Sequence, residues 1–236
     1  MSLYKYSAIT KHTKENLMNN LIYFQSPSFF NDPYEFIFKF EVADQIYIKF
    51  LKLVYGDQYK FFLEKGMSKS EVLEHTRDHY FGQMCKLLGA VCLSEDDNND
   101  LMWAHYGGNH HGICIEFDAE ITPFHLCQKV HYINDVFCLS INTVSNLQEQ
   151  LEIEIGAAFL RKSKIWSYEK EWRILSEAYS IEPYPAKAIK SITFGFFCEK
   201  ESKQEIINLT SHLNIKYYEI VRSKDHYLTK KIEYNK

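Results

Sequence analysis

The segment GICIEFD, residues 112–118, alternates apolar and polar side chains with the period of a β-strand. Ile113, Ile115 and Phe117 fall on one face, and Cys114, Glu116 and Asp118 on the other. Such a segment needs a sheet with a covered face, and the chain carries many like it. LYKY (3–6), NLIYF (20–24), GAVCLSE (89–95), QKVHYI (128–133), EWRILSEA (171–178), AIKSITFGF (188–196), IKYYEIV (215–221) and YLTKKIEY (227–234) all read as short strands. In GAVCLSE, Ala90, Cys92 and Ser94 share one face, and Val91, Leu93 and Glu95 the other.

Helical patterns interrupt these strands without a regular strand–helix–strand rhythm. TKHTKENLMNN (10–20) reads as one short helix, with Thr13 and Asn16 at cap spacing. DQIYIKFLKLVYGDQYKFFLEKG (44–66) crowds apolar residues on one side and closes at Gly66. The following segment opens with a capping box, Ser68 with Glu71 three residues on. DDNNDLMWAHYG (96–107) predicts a short capped helix ending at Gly107-Gly108, and residues 143–165 a long one with Leu147, Leu151 and Ile155 at helical spacing. KESKQEIINLTSHL (200–213) predicts the last. Strands in runs with helices inserted between them predict an α+β fold, a mixed and mostly antiparallel sheet with flanking helices. A single domain over 1–236 is expected, with 42–88 as a helical insertion or cap.

Composition removes several classes of function. A formal charge of −4 argues against a dedicated non-specific nucleic-acid binder, and no basic nucleic-acid patch is expected. No apolar run approaches a membrane span, and MSLYKYSAIT lacks the apolar core of a signal peptide. The six cysteines show no CxxC pair and read as reduced core thiols, so a cytoplasmic protein without membrane partners is expected. No Gly-rich phosphate loop, GxSxG elbow or marked nucleophilic cysteine is present.

Polar residues concentrate in three stretches. In LMWAHYGGNHHGICIEFD (101–118), His105 shares a helix face with Leu101 and Ala104, and Tyr106 lies over Met102. His105 reads either as a core histidine with one satisfied nitrogen or as a switchable acid or base. The spacing of His105, His110 and His111 matches no zinc pattern, and no structural metal is expected. In KIWSYEKEWRIL (164–175), a strand beginning near Glu169 puts Glu169, Glu171 and Arg173 on one face. Carboxylates two residues apart on a strand lie roughly 6–7 Å from each other, and burial would split their roles. Trp166, Tyr168 and Trp172 suggest a walled cleft. In FNDP, Asn31 and Asp32 sit among aromatics, either as a capped turn or as part of that cleft.

LYKY, FNDPYE, CLSE, LMWAHYGGNHHGICIEF and WSYEKEWRI, in that order, resemble an uncharacterised bacterial family of unknown function. That resemblance implies a role in stress or phage defence. The order of strands is also similar, more distantly, to the ADP-ribosyltransferase fold, which implies NAD as cofactor. It matches Ser94 to the serine strand and Glu171 to the late glutamate beside an oxocarbenium-like centre. Glu169 completes an ExE, with His105 and Arg173 as further catalytic candidates. Lys5, Tyr6, Asn31, Asp32, Ser94, Trp103 and Tyr106 are the implied cofactor-binding set. The first strand departs from that pattern, offering Tyr4, Lys5 and Tyr6 where the fold uses Arg or His. Two alternatives stand beside this reading. One is a metal-dependent nuclease using Glu171, Arg173 and either Asp118 or Glu116 around Mg²⁺. The other is a non-enzymatic sensor or interaction module. The small-molecule or macromolecular acceptor and the oligomeric state are left open. The expectation carried forward is that the histidine and ExE stretches face one cleft, with Asn31 and Asp32 lining it.

Overall fold

A computed structural model describes residues 1–177 and 179–235, with the backbone alone at 150 and 152. Along the chain the elements are β1 (Ser2–Ser7), α1 (Lys11–Asn19), β2 (Leu21–Tyr23), β3 (Phe38–Val42), α2 (Tyr47–Tyr55), α3 (Tyr59–Glu64) and α4 (Lys69–Leu87). There follow β4 (Gly89–Ser94), α5 (Asp100–His105), β5 (Ile113–Asp118), β6 (Gln128–Lys129), β7 (His131–Ile133) and β8 (Phe137–Ile141). The remainder is α6 (Leu147–Ala158), β9 (Arg161–Ser163), β10 (Glu171–Ser176), β11 (Ile181–Pro183), β12 (Ile189–Phe194), α7 (Lys200–Leu209), β13 (Lys216–Arg222) and β14 (Thr229–Glu233). The fold is α+β, as the sequence predicts, with a mixed and mostly antiparallel sheet.

The chain divides into two compact units, one of residues 1–25, 89–130 and 165–236, the other of 26–88 and 131–164. The helices of 42–88 therefore cluster with 26–41 and 131–164.

The first unit is built on an eight-stranded sheet in the order β14-β13-β12-β5-β1-β4-β10-β6. Period-2 alternation gives it two different faces. Leu3, Val91, Leu93, Ile115, Phe117 and Ile174 point to one side, where Leu17 of α1 and Ile206 of α7 join the core. Burying each of these large side chains stabilises the unit by about 1.5–3 kcal/mol. Tyr6, Cys114 and Ile220 belong to the opposite face and pack with Met102 and Trp103 of α5. In the second unit β3 pairs with β8 and β7 with β9, both in parallel.

Several local expectations are corrected. The cap of α1 is Thr10, whose hydroxyl accepts from the Thr13 amide, because Thr13 already lies in the first turn. The predicted 44–66 helix breaks into α2 and α3 at Gly56, whose φ of 55° and ψ of −138° cannot continue a helix. QKVHYI is not one strand, since Gln128–Lys129 pairs with β10 whereas His131–Ile133 pairs with β9. Cys114 and Cys198 are buried as expected, whereas Cys85, Cys92, Cys127 and Cys138 are only partly so. The capping box of Ser68 and Glu71 is present on α4.

Candidate active site on the second face of the sheet

The register of the sheet sets residues distant in sequence side by side. Tyr4 of β1 pairs with Ser94 of β4, and Ser94 pairs in turn with Glu171 of β10. Three neighbouring strands thus carry tyrosine, serine and glutamate abreast, spanning roughly 10 Å at the usual strand spacing. Burial pushes the Tyr4 phenol up to about 12, with the Glu116 carboxylate adding to the shift.

Glu171 and Arg173 share a strand face, as the alternation predicts, and both are buried. Arg173 donates from Nε to Glu171 Oε1 at 2.7 Å and from a terminal nitrogen to Oε2 at 2.9 Å. This two-pronged pair holds the Glu171 carboxylate in one orientation. Beside it, burial and the Glu171 charge push the Cys92 thiol well up, so that sulfur stays protonated. Lys5 reaches the Cys92 carbonyl at 3.5 Å. Burial lowers its ammonium below the ordinary value, with Cys92 and Glu171 pulling the other way. Its ammonium thus contacts a backbone oxygen of the sheet.

Glu169 departs from the expected strand geometry. It ends a 3₁₀ segment, Lys164–Glu169, and Lys170 then takes a φ of 46° before the strand begins at Glu171. A left-handed conformation at a lysine costs on the order of 1–2 kcal/mol and turns Glu169 away from simple period-2 placement. The Lys170 carbonyl accepts from the Glu95 amide, which fixes the bend against the end of β4. Ser94 completes the fastening, donating its hydroxyl to the Glu169 carbonyl at 2.6 Å and accepting from the Asp96 amide at 3.0 Å. The Glu169 carboxylate in turn accepts from the Tyr106 hydroxyl at 2.6 Å.

That hydrogen bond joins the two polar stretches, and the join runs through Glu169. His105 is exposed, which removes the core-histidine alternative, because the buried face of α5 is Met102 and Trp103 while Leu101 is itself exposed. The His105 ring lies 6.0 Å from Trp166 and 6.4 Å from Tyr168, whereas Trp172, the third aromatic expected there, packs against the apolar core. Asn99 caps α5 with its side-chain oxygen and donates to the Tyr168 carbonyl, tying that residue to the helix start. Tyr6 is buried, donating to the Asp96 carbonyl and accepting from the Asn99 amide. Trp103 is fully buried and edges onto Tyr6 at 5.0 Å.

His110 and His111 belong to a bend. Gly108, Asn109 and His110 have φ values of 59°, 52° and 67°, and the His110 carbonyl accepts from the Phe197 amide. A Cβ on Gly195 would lie 2.2 Å from that same carbonyl oxygen, so the crossing admits only glycine. Glu116 and Asp118 also fall away from Glu171. Glu116 pairs across from Tyr4, three strand spacings or about 14 Å from Glu171, too far to share one ion. Glu116 instead accepts from Ser2 and Ser191, and Asp118 lies 3.2 Å from Lys190.

Asn31 and Asp32 lie in the second unit. The Asp32 carboxylate accepts from the Tyr34 amide at 2.9 Å, which is the capped turn expected of Asp-Pro, and Asp32 is buried. Three residues further on, Glu35 is buried with Lys162 at 3.6 Å. Sequence reading missed this pair, because nothing local connects Glu35 to Lys162.

The fold and site define an α+β protein with two buried, fastened carboxylates, Glu171 on its sheet and Glu169 in the 3₁₀ segment just before that strand. Residues 102–174, from α5 to the middle of β10, match the model of a family described as Protein of unknown function (DUF2971). That stretch contains both joined motifs and is similar to an uncharacterised family, as the sequence suggests. No curated protein and no solved structure matches the chain. Among the described residues, no helix is long and apolar enough to cross a membrane.

Proposed function

We propose that the protein is an NAD-using enzyme of the ADP-ribosyltransferase type, transferring or hydrolysing at the ribosyl carbon that bears nicotinamide. The observation that supports this reading is the row Tyr4–Ser94–Glu171 on adjacent strands, which sets side by side the first strand, the serine and the late glutamate named by the resemblance. Glu171, fixed by Arg173, is the anion placed beside the developing oxocarbenium centre. Glu169, held by Tyr106, activates the acceptor nucleophile. Ser94 acts through the backbone, setting where Glu169 sits. Tyr4 stands where an arginine or histidine is usual, so the donor is oriented by the aromatic wall of Trp166 and Tyr168 together with His105.

The test is nicotinamide release from NAD by the purified chain, with protein and nucleic-acid acceptors supplied in turn. E171Q should abolish release and E169Q should chiefly reduce transfer to acceptor, with thermal unfolding run on each variant to confirm folding. A wild-type chain that neither binds nor cleaves NAD under any of these conditions ends the reading.

A further inference from the structure

A second site lies in the helical part of the other unit, on the exposed side of α4. His75 and His79 are four residues apart on this helix, so their side chains project from the same face one turn apart, with Cβ atoms roughly 6 Å from each other. Both are exposed. Tyr55, the last residue of α2, lies against both, with ring centroids 6.1 Å from His75 and 6.2 Å from His79.

A chain of hydrogen bonds decides the tautomer of His75. The Thr76 hydroxyl is 2.7 Å from the Val72 carbonyl, which is an acceptor only, so Thr76 spends its one proton there. The Tyr55 hydroxyl lies 3.0 Å from Thr76 Oγ1 and must donate to it. With its proton committed, the Tyr55 oxygen can only accept from His75 Nδ1, 3.2 Å away. His75 is therefore held with its proton on Nδ1 and a lone pair on Nε2. Metal-binding histidines characteristically have this arrangement, one nitrogen donating to a fixed oxygen and the other presented to the ion. The anchor is rigid, since Thr76 is fully buried and Tyr55 packs on Phe62 at 4.7 Å.

We propose that His75 and His79 bind a divalent transition-metal ion of the Zn²⁺, Ni²⁺ or Cu²⁺ class, with Tyr55 fixing the ligating tautomer of His75. Paired histidines at this helical spacing chelate such ions, and imidazole favours them over Mg²⁺ or Ca²⁺. Among the described residues no group of three or more His, Cys, Asp and Glu converges on one point, so water or an external ligand completes the coordination sphere.

The experiment is calorimetric titration of the tag-free full chain with Zn²⁺ and with Ni²⁺, paired with thermal unfolding at several metal concentrations. Saturable binding of one ion, with a melting temperature that rises with metal, is expected. H75A and H79A should each abolish it, and H125A, at an exposed histidine elsewhere, should leave it intact. Y55F should weaken binding about 10-fold or more, as loss of an orienting partner does. Nitrogen-15 NMR of the metal-free chain should show His75 protonated at Nδ1. Absence of saturable binding, unchanged binding in H75A or H79A, unchanged affinity in Y55F, or a His75 protonated at Nε2 would each overturn the proposal.

Discussion

Arg173→Met tests the energetic centre of the candidate site. The wild-type guanidinium is fully buried and makes two hydrogen bonds, of 2.7 and 2.9 Å, to a carboxylate whose side chain is 5% exposed. Methionine keeps an unbranched apolar stem of similar reach and leaves the Glu171 charge buried without that partner. Breaking a buried pair from one side costs about 3–5 kcal/mol, because the remaining ion has lost water without compensation. For a chain of this length each kcal/mol moves the midpoint by roughly 2–4 °C, which places the expected fall at about 6–20 °C. The double variant E171M/R173M removes both charges and should recover much of the loss, since apolar replacement of a whole buried pair is often neutral or favourable. Urea titration followed by tryptophan fluorescence, with circular dichroism on heating, measures all four members of the cycle. The reasoning is refuted if R173M lies within about 1 kcal/mol of wild type, well below the expected cost. It also fails if the double variant equals the sum of the singles within about 0.5 kcal/mol, the mark of independent sites.

Tyr106→Phe removes the 2.6 Å bond to Glu169 and should cost about 1.5–3 kcal/mol, the range for hydrogen bonds to charged groups, read by the same urea titration. Lys170→Gly relieves the left-handed backbone between the two glutamates, whereas Lys170→Val adds a β-branched side chain where it is least tolerated. The glycine variant should melt higher than the valine variant, and the reverse order would show that no strain is stored there. Glu95 is held below its ordinary carboxyl value of 4.5, chiefly by the Lys129 hydrogen bond. A depressed carboxyl contributes stability that is present above its unfolded value and lost as pH falls through the folded one. The Trp172 indole N–H, which donates to Glu95 at 2.8 Å, reports this directly by NMR. Its shift should titrate with a midpoint below 4.5, and Lys129→Ala should move that midpoint upward.

The sequence by itself determined the local grammar of this protein. The alternation in residues 113–118 and 89–94 set which side chains face the apolar core, because a strand's period of two needs no distant partner to be read. The capping box of Ser68 and Glu71, and an Asn or Asp cap before α5, were legible for the same reason, as bonds that close over two or three residues; the structure gives that cap to Asn99. That Glu171 and Arg173 share one strand face followed from strand parity alone. What only the tertiary structure decided are the neighbours. No local pattern states that β4 lies between β1 and β10, yet that choice makes the row of Tyr4, Ser94 and Glu171. The left-handed Lys170 is likewise imposed from outside, by the Glu95 amide and the Ser94 hydroxyl, against its own backbone preference. For His105 the sequence left a core and a functional alternative open, because the buried side of α5 is selected by Tyr6 beneath it and a six-residue helix has too few positions to declare a face. Strand order and the orientation of short elements are settled by burial between segments far apart in the chain, and that information is distributed over the whole sequence.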